Sequence, residues 1–206
     1  MGDRWHTGRI EAFSDGVFAI AITLLVLDIH VPPTEFDDLW HGIAQQWPAY
    51  LGFTTSFITI GGFWMAHHGL FRRLEYANNN VMRVNLLLLM AVSFLPFPTR
   101  LVAEAIHTAN AERAAVTFYG ASLLVISLLY AALGQAVTSD RSLLRPDASP
   151  VEVERVVRQV RPNIGFYVAV IVFAEVAPVA AAIGFLVVAV NVVLRARGDN
   201  PIGDAA

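Results

Sequence analysis

From Gly42 to Ala66, and again from Ala114 to Ser139, the chain carries no Asp, Glu, Lys or Arg. About 20 such residues wound as helix cross the hydrocarbon core of a bilayer. Inside lipid every backbone N–H and C=O must be bonded within the segment, so a run of this kind folds as a helix. With 56% hydrophobic and 15% charged residues in 206, the chain has more apolar surface than one soluble core of its size uses. The expected fold class is an all-α integral membrane protein. Ser14 and Asp15 precede the first apolar run and no small-residue cleavage site follows it, so that run is expected to stay as a helix. Without cysteine there is no disulfide, thiol nucleophile or thiolate metal site.

Six transmembrane helices can be placed in a single domain over residues 1–206: approximately 11–30, 48–71, 81–102, 114–137, 163–177 and 178–194. The stretch from Asn163 to Leu194 is too long for one span, and Pro178, after Glu175, is its natural break. All basic residues are Arg. With both termini inside, twelve arginines face the cytoplasm and only Arg100 and Arg113 face out, a strong positive-inside bias. The outer segments then hold seven acids for a net charge of −5, against +2 inside. A negative outer face concentrates cations, although exclusion of Arg alone produces the same imbalance.

The inner connector, 138–162, includes Ser149-Pro150-Val151-Glu152, a capping-box start with proline at the first helical position. Val153, Val156, Val157 and Val160 form an apolar face beyond it, which predicts a short amphipathic surface helix or an ordinary connector.

The first helix carries the chemistry. Asp15 lies where its apolar run begins, a costly place for an ionisable group unless it is paired, wet or capping. Either Ser14 and Asp15 cap the helix, or Arg9, Ser14 and Asp15 form a polar cluster at the inner end. Ile20, Leu24 and Leu27 follow i, i+4, i+7 and line one face about 10 Å tall, with the Thr23 hydroxyl beside it. An apolar stripe of this kind faces lipid, a packed neighbour or a pore. Gly16, Ala19 and Ala21 favour close approach of another helix.

The string Arg9-x-x-x-Phe13-Ser14-Asp15 followed by an apolar helix closely resembles the signature of the transmembrane protein 175 family of lysosomal and prokaryotic potassium channels. The third-span pattern Asn85-Leu86 through Pro96-Phe97-x-Thr99, the chain length and the span count resemble it too. The resemblance implies a prokaryotic homotetramer with one six-helix unit per chain, in the plasma membrane, whose first helices line a central pore. It implies a constriction at Ile20, further apolar layers at Leu24 and Leu27, and a hydroxyl presented to the ion by Thr23. Arg9, Phe13, Ser14 and Asp15 match the signature and should hold the inner end of the helix. Trp64, His68 and Asn85 are expected to make polar contacts among the first three helices.

The implied function is passive, moderately selective potassium conduction, with potassium as the permeant ion and no cofactor. Alternatives are a proton-permeable channel, a secondary transporter, or a membrane-embedded enzyme or scaffold. A transporter would show inverted repeats with broken helices around a mid-membrane charge, and the acids here lie near span ends. Thr59-Ile60-Gly61-Gly62-Phe63 faintly echoes a carbonyl filter but lies inside an uninterrupted span, so it reads as a packing segment. His67 and His68 point about 100° apart on a helix and cannot grip one metal together. With His6, His30, His41 and His107 scattered, no metal site and no catalytic constellation is expected. Pro96 and Pro98 should bend the third span. The arginines of the inner connector answer to topology, not to nucleic acid.

Overall fold

The computed structural model describes residues 4–106 and 108–197, so His107 lies outside the described residues. Within them the chain is almost wholly helical. Helix α1 (Gly8–Leu24) continues as a 3-10 turn, Leu25–Asp28; a second 3-10 turn, Pro33–Asp38, leads into the short α2 (Leu39–Gln45). Then come α3 (Trp47–Phe71), α4 (Asn79–Phe94), α5 (Pro96–Ala105), α6 (Ala109–Thr138), α7 (Pro150–Ala174) and α8 (Pro178–Arg197). Among the described residues, three helical stretches are long and apolar enough to cross a membrane: Gly8–Asp28, Asn79–Ala105 and Ala111–Thr138. Apolar helices Ile164–Ala174 and Pro178–Asn191 are shorter. Helix α3 holds no carboxylate or guanidinium, but its threonines, glycines and histidines dilute its apolarity.

Proline sets two of the breaks. Pro96 has no N–H for the Val92 carbonyl, which takes the Leu95 N–H instead at 3.1 Å, a tighter turn that ends α4 and starts α5. Pro178 opens α8 after α7 has closed at Ala174. The connector differs from expectation. Helix α7 already begins at Pro150, so the amphipathic stretch and the apolar stretch after it form one helix of 25 residues, with no separate surface helix. Ser149 occupies the N-cap but makes no side-chain cap hydrogen bond. Val153 is buried, which ties the start of α7 to the bundle; the side chains at 156, 157 and 160 lie outside the described residues.

Helices α3 and α6 form the centre. The first packs against α1, α5 and α8, and the second against α4, α5, α7 and α8. Core side chains come from every long helix: Phe18 and Leu25 of α1, Ile60 and Phe71 of α3, Leu88 and Val92 of α4, Ile126 and Tyr130 of α6, Tyr167 of α7 and Phe185 of α8. At Gly120 on α6 a Cβ would meet Ile171 Cγ1 at 2.6 Å and Phe185 Cζ at 2.7 Å, so only glycine lets α7 and α8 come this close. Inside the core, Thr99 donates its hydroxyl to the Leu95 carbonyl at 2.9 Å, leaving its oxygen to accept from Ser56 at 2.7 Å. Ser56 in turn accepts from the Tyr119 hydroxyl at 3.0 Å, so the protons of all three hydroxyls are donated.

At the end where α1 begins, three distant segments are knotted together. Trp5–His6 pairs antiparallel with Tyr76–Ala77. Thr7 donates its hydroxyl to the Leu74 carbonyl at 3.1 Å, and Leu74 bridges to Leu144. Glu75 N–H donates to the Leu143 carbonyl at 2.9 Å, and Arg145 N–H to the Arg73 carbonyl at 3.0 Å.

Candidate functional site

Helix α1 sits at the margin of the bundle, against α3 and α4. Its burial follows the helical period. Ser14, Phe18, Ala21 and Leu25 (i, i+4, i+7, i+11) are all 1% exposed or less. The opposite face is open: Phe13 is 58% exposed, Ile20 60%, Leu24 42% and Leu27 71%. Gly16 and Ala19 lie on the same open side, and nothing comes within 4 Å of where a Cβ on Gly16 would stand. The predicted stripe of Ile20, Leu24 and Leu27 is thus one continuous surface that, among the described residues, no other element covers. Thr23 is exposed beside it and donates its hydroxyl to the Ile20 carbonyl at 2.9 Å. That bond spends the proton, so the lone pairs of the oxygen are what it offers outward.

The packed side of α1 is fixed by a polar network near its start. Ser14 lies inside the helix and donates to the Ile10 carbonyl at 2.8 Å. Its oxygen is left to accept, and it receives Asn85 Nδ2 of α4 at 3.1 Å. The orientation of the Asn85 amide follows: its Oδ1 faces His67 Nε2 of α3 at 2.8 Å, so that nitrogen carries the proton and donates. His67 is fully buried, tilted against Phe18 and stacked on Phe71 with ring centroids 4.3 Å apart. Beside this chain Trp64 Nε1 donates to Asp15 Oδ1 at 2.8 Å. One turn along, His68 Nδ1 stands 3.0 Å from Glu11 Oε1, its ring stacked on Trp64.

Neither sequence reading of Ser14 and Asp15 holds. They do not cap the helix, because α1 starts at Gly8 and runs through them. They do not cluster with Arg9 either. Arg9 is exposed and, among the described residues, makes no hydrogen bond or ion pair. The signature splits by helical angle: Ser14 and Asp15 turn inward to α4 and α3, while Arg9 and Phe13 turn out. Trp64 and Asn85 hydrogen-bond to α1, and His68 stands against Glu11 of the same helix, each with its own partner. Glu11 and His67 complete the network and were not anticipated. Glu11 lies one turn before Asp15 on the same helix face, the signal that could have marked it. His67 and His68 do part company, one into the core and one toward Glu11.

At the other end of α1, Asp28 lies in the field of Arg100 and Glu104 of α5, which are joined to each other at 2.7 Å.

Known proteins resemble this chain in sequence and in fold. Residues 9–96, which hold all but the first residue of α1 and the whole of α2, α3 and α4, match the family model described as the endosomal/lysosomal potassium channel TMEM175. A potassium channel of Chamaesiphon minutus is 44% identical over 166 residues, covering 79% of this chain and 81% of that protein. One from Streptomyces collinus is 40% identical over 154 residues, 73% of this chain and 75% of the relative. The crystal structure of a lysosomal potassium-selective channel TMEM175 homolog from Chamaesiphon minutus superposes with a TM-score of 0.82 at 37% identity, covering 92% of this chain and 97% of that one. On these grounds the chain belongs to the TMEM175 family.

Proposed function

We infer that this protein is a potassium channel in the plasma membrane of a prokaryote, assembled as a homotetramer around four copies of α1. The observation that carries this reading is the division of α1 into two faces: one pinned by hydrogen bonds and core packing, the other apolar, continuous and uncovered. A ring of four such faces would bury Ile20, Leu24 and Leu27 around an axis, with Gly16 and Ala19 allowing close approach. Six helices of the chain cross the bilayer in this reading, with both termini cytoplasmic, supported by the distribution of arginines.

In such a pore Ile20 makes the narrowest layer. Four isoleucine side chains offer no oxygen to replace a hydration shell, so the layer closes by dewetting and selects by the cost of squeezing a hydrated ion. Potassium holds its water less strongly than sodium and passes more readily. The outward lone pairs of Thr23 give the partly stripped ion a ligand one helical turn along. Asp28, near the far end of α1, adds negative charge that raises the local cation concentration, while Glu104 is neutralised by Arg100.

The test uses the purified protein in liposomes loaded with potassium. Potassium should leave down its gradient without valinomycin and without a coupled ion. Ile20→Asn should raise sodium flux relative to potassium, because a polar layer wets the constriction. Flux no greater than in protein-free liposomes, or an Ile20→Asn protein with the wild-type ratio of potassium to sodium, would overturn the reading.

A further inference from the structure

Glu11, Asp15 and His68 each offer one atom of ligand type, and the three atoms lie within 4.8 Å of one another. The two carboxylates sit one turn apart on the inward side of α1, and the imidazole comes from α3. His68 Nδ1 is shut off from solvent and takes part in no hydrogen bond, although it faces Glu11 Oε1 at 3.0 Å. The stacked Trp64 ring fixes the plane of the imidazole, with centroids 5.7 Å apart. The Trp64 N–H occupies Asp15 Oδ1, which orients that carboxylate and leaves its second oxygen available.

We propose that Glu11, Asp15 and His68 bind a divalent transition-metal cation of the zinc and cobalt class, bridging α1 and α3. The donor set is one imidazole nitrogen and two carboxylate oxygens, which suits Zn²⁺ or Co²⁺; Mg²⁺ and Ca²⁺ seek oxygen alone. Bonds of about 2.0–2.2 Å to a tetrahedral ion set neighbouring ligands about 3.3 Å apart. The His68–Glu11 separation of 3.0 Å meets this already, and Asp15 reaches the ion by rotating its side chain. Two carboxylates balance the charge of the ion. The side chains of His68 and Glu11 are 39% and 22% exposed, so the cluster lies near the surface of the chain. The indole N–H on Asp15 acts as outer-shell partners of metal-bound carboxylates do. A bound ion fastens α1 to α3, so binding stabilises the fold by mass action.

The test is a Co²⁺ titration of the purified, metal-stripped protein, followed by the visible absorption of bound Co²⁺ and by thermal unfolding. Wild-type protein should develop the absorption and a raised Tm, while Mg²⁺ gives neither. Glu11→Gln and His68→Gln should each weaken Co²⁺ binding by about tenfold or more, since even outer-shell partners are worth about 10–100-fold. A wild-type protein with no Co²⁺ spectrum, variants that keep wild-type affinity, or equal stabilisation by Mg²⁺ would overturn the site. Should either variant fail to fold, crystals of the wild type grown with Co²⁺ decide the matter. Anomalous density among the three side chains supports the site, and none there sinks it. These measurements do not depend on conduction, so the metal site and the channel reading stand or fall separately.

Discussion

The hydrogen-bond relay Ile10–Ser14–Asn85–His67 makes a quantitative prediction, because each proton in it has been assigned. Replacing Asn85 with Leu keeps the volume and removes both polar contacts. Ser14 is not orphaned, since its own proton still goes to the Ile10 carbonyl. The cost therefore falls on His67, whose Nε2–H loses its acceptor inside a core that leaves the residue 0% exposed. Stranding such a donor costs about 1–3 kcal/mol in soluble proteins, and hydrogen bonds between membrane helices average about 0.6 kcal/mol. An Asn85→Leu loss of about 1–2 kcal/mol follows. For a chain of this length that lowers Tm by about 2–8 °C, at about 2–4 °C per kcal/mol. His67→Phe strands the Asn85 oxygen in the same way while preserving the stack on Phe71. In the double variant nothing is stranded, because Leu faces Phe. Its cost should fall short of the summed single costs by about 1 kcal/mol, read by thermal unfolding in detergent across all four proteins. Distant sites add within about 0.5 kcal/mol. Additivity at that level would refute the assigned donor and acceptor pairing.

Two further outcomes concern other parts of the molecule. Gly120→Val places methyl groups where Ile171 and Phe185 already stand, and overpacking of this kind costs about 1–3 kcal/mol; an unchanged Tm would contradict the close packing of α6 against α7 and α8. Asp140 is held below the ordinary carboxylate range chiefly by the Ser142 hydroxyl, with the Ser142 N–H also donating at 3.2 Å. A depressed folded pKa gives stability that is present above the unfolded value, about 4, and is lost as pH falls through the folded one. The Tm of the wild type should therefore fall faster than that of Asp140→Asn as pH drops below about 4; parallel pH profiles would show that Asp140 contributes nothing.

Much of the helical plan is legible in residue order because its causes are local. Charge-free runs fold as helices, and Pro96 and Pro178 break them for want of an N–H. The two faces of α1 are legible too, since a 3.6-residue period separates Ile20, Leu24 and Leu27 from Phe18, Ala21 and Leu25. Periodicity tells which residues share a face, however, and not how far each helix is rotated toward its neighbour. That angle decides that His67 meets Asn85 while His68 meets Glu11, and that Asp15 finds an indole instead of Arg9. Helix α7 escaped for another reason. The polar residues after Pro150 mask a helix that runs without interruption into its apolar half, because a change in the solvent around a helix does not change its backbone hydrogen bonding.

The knot beneath α1 has a mechanical corollary. Thr7 sits between a strand pair on one side and the first turn of α1 on the other, and its hydroxyl is tied to the Leu74 carbonyl. Tension applied to the residues before it is carried sideways into the turn that follows α3, and onward through Leu74 to Leu144. Three remote parts of the chain must therefore yield together before α1 can be drawn along its own axis.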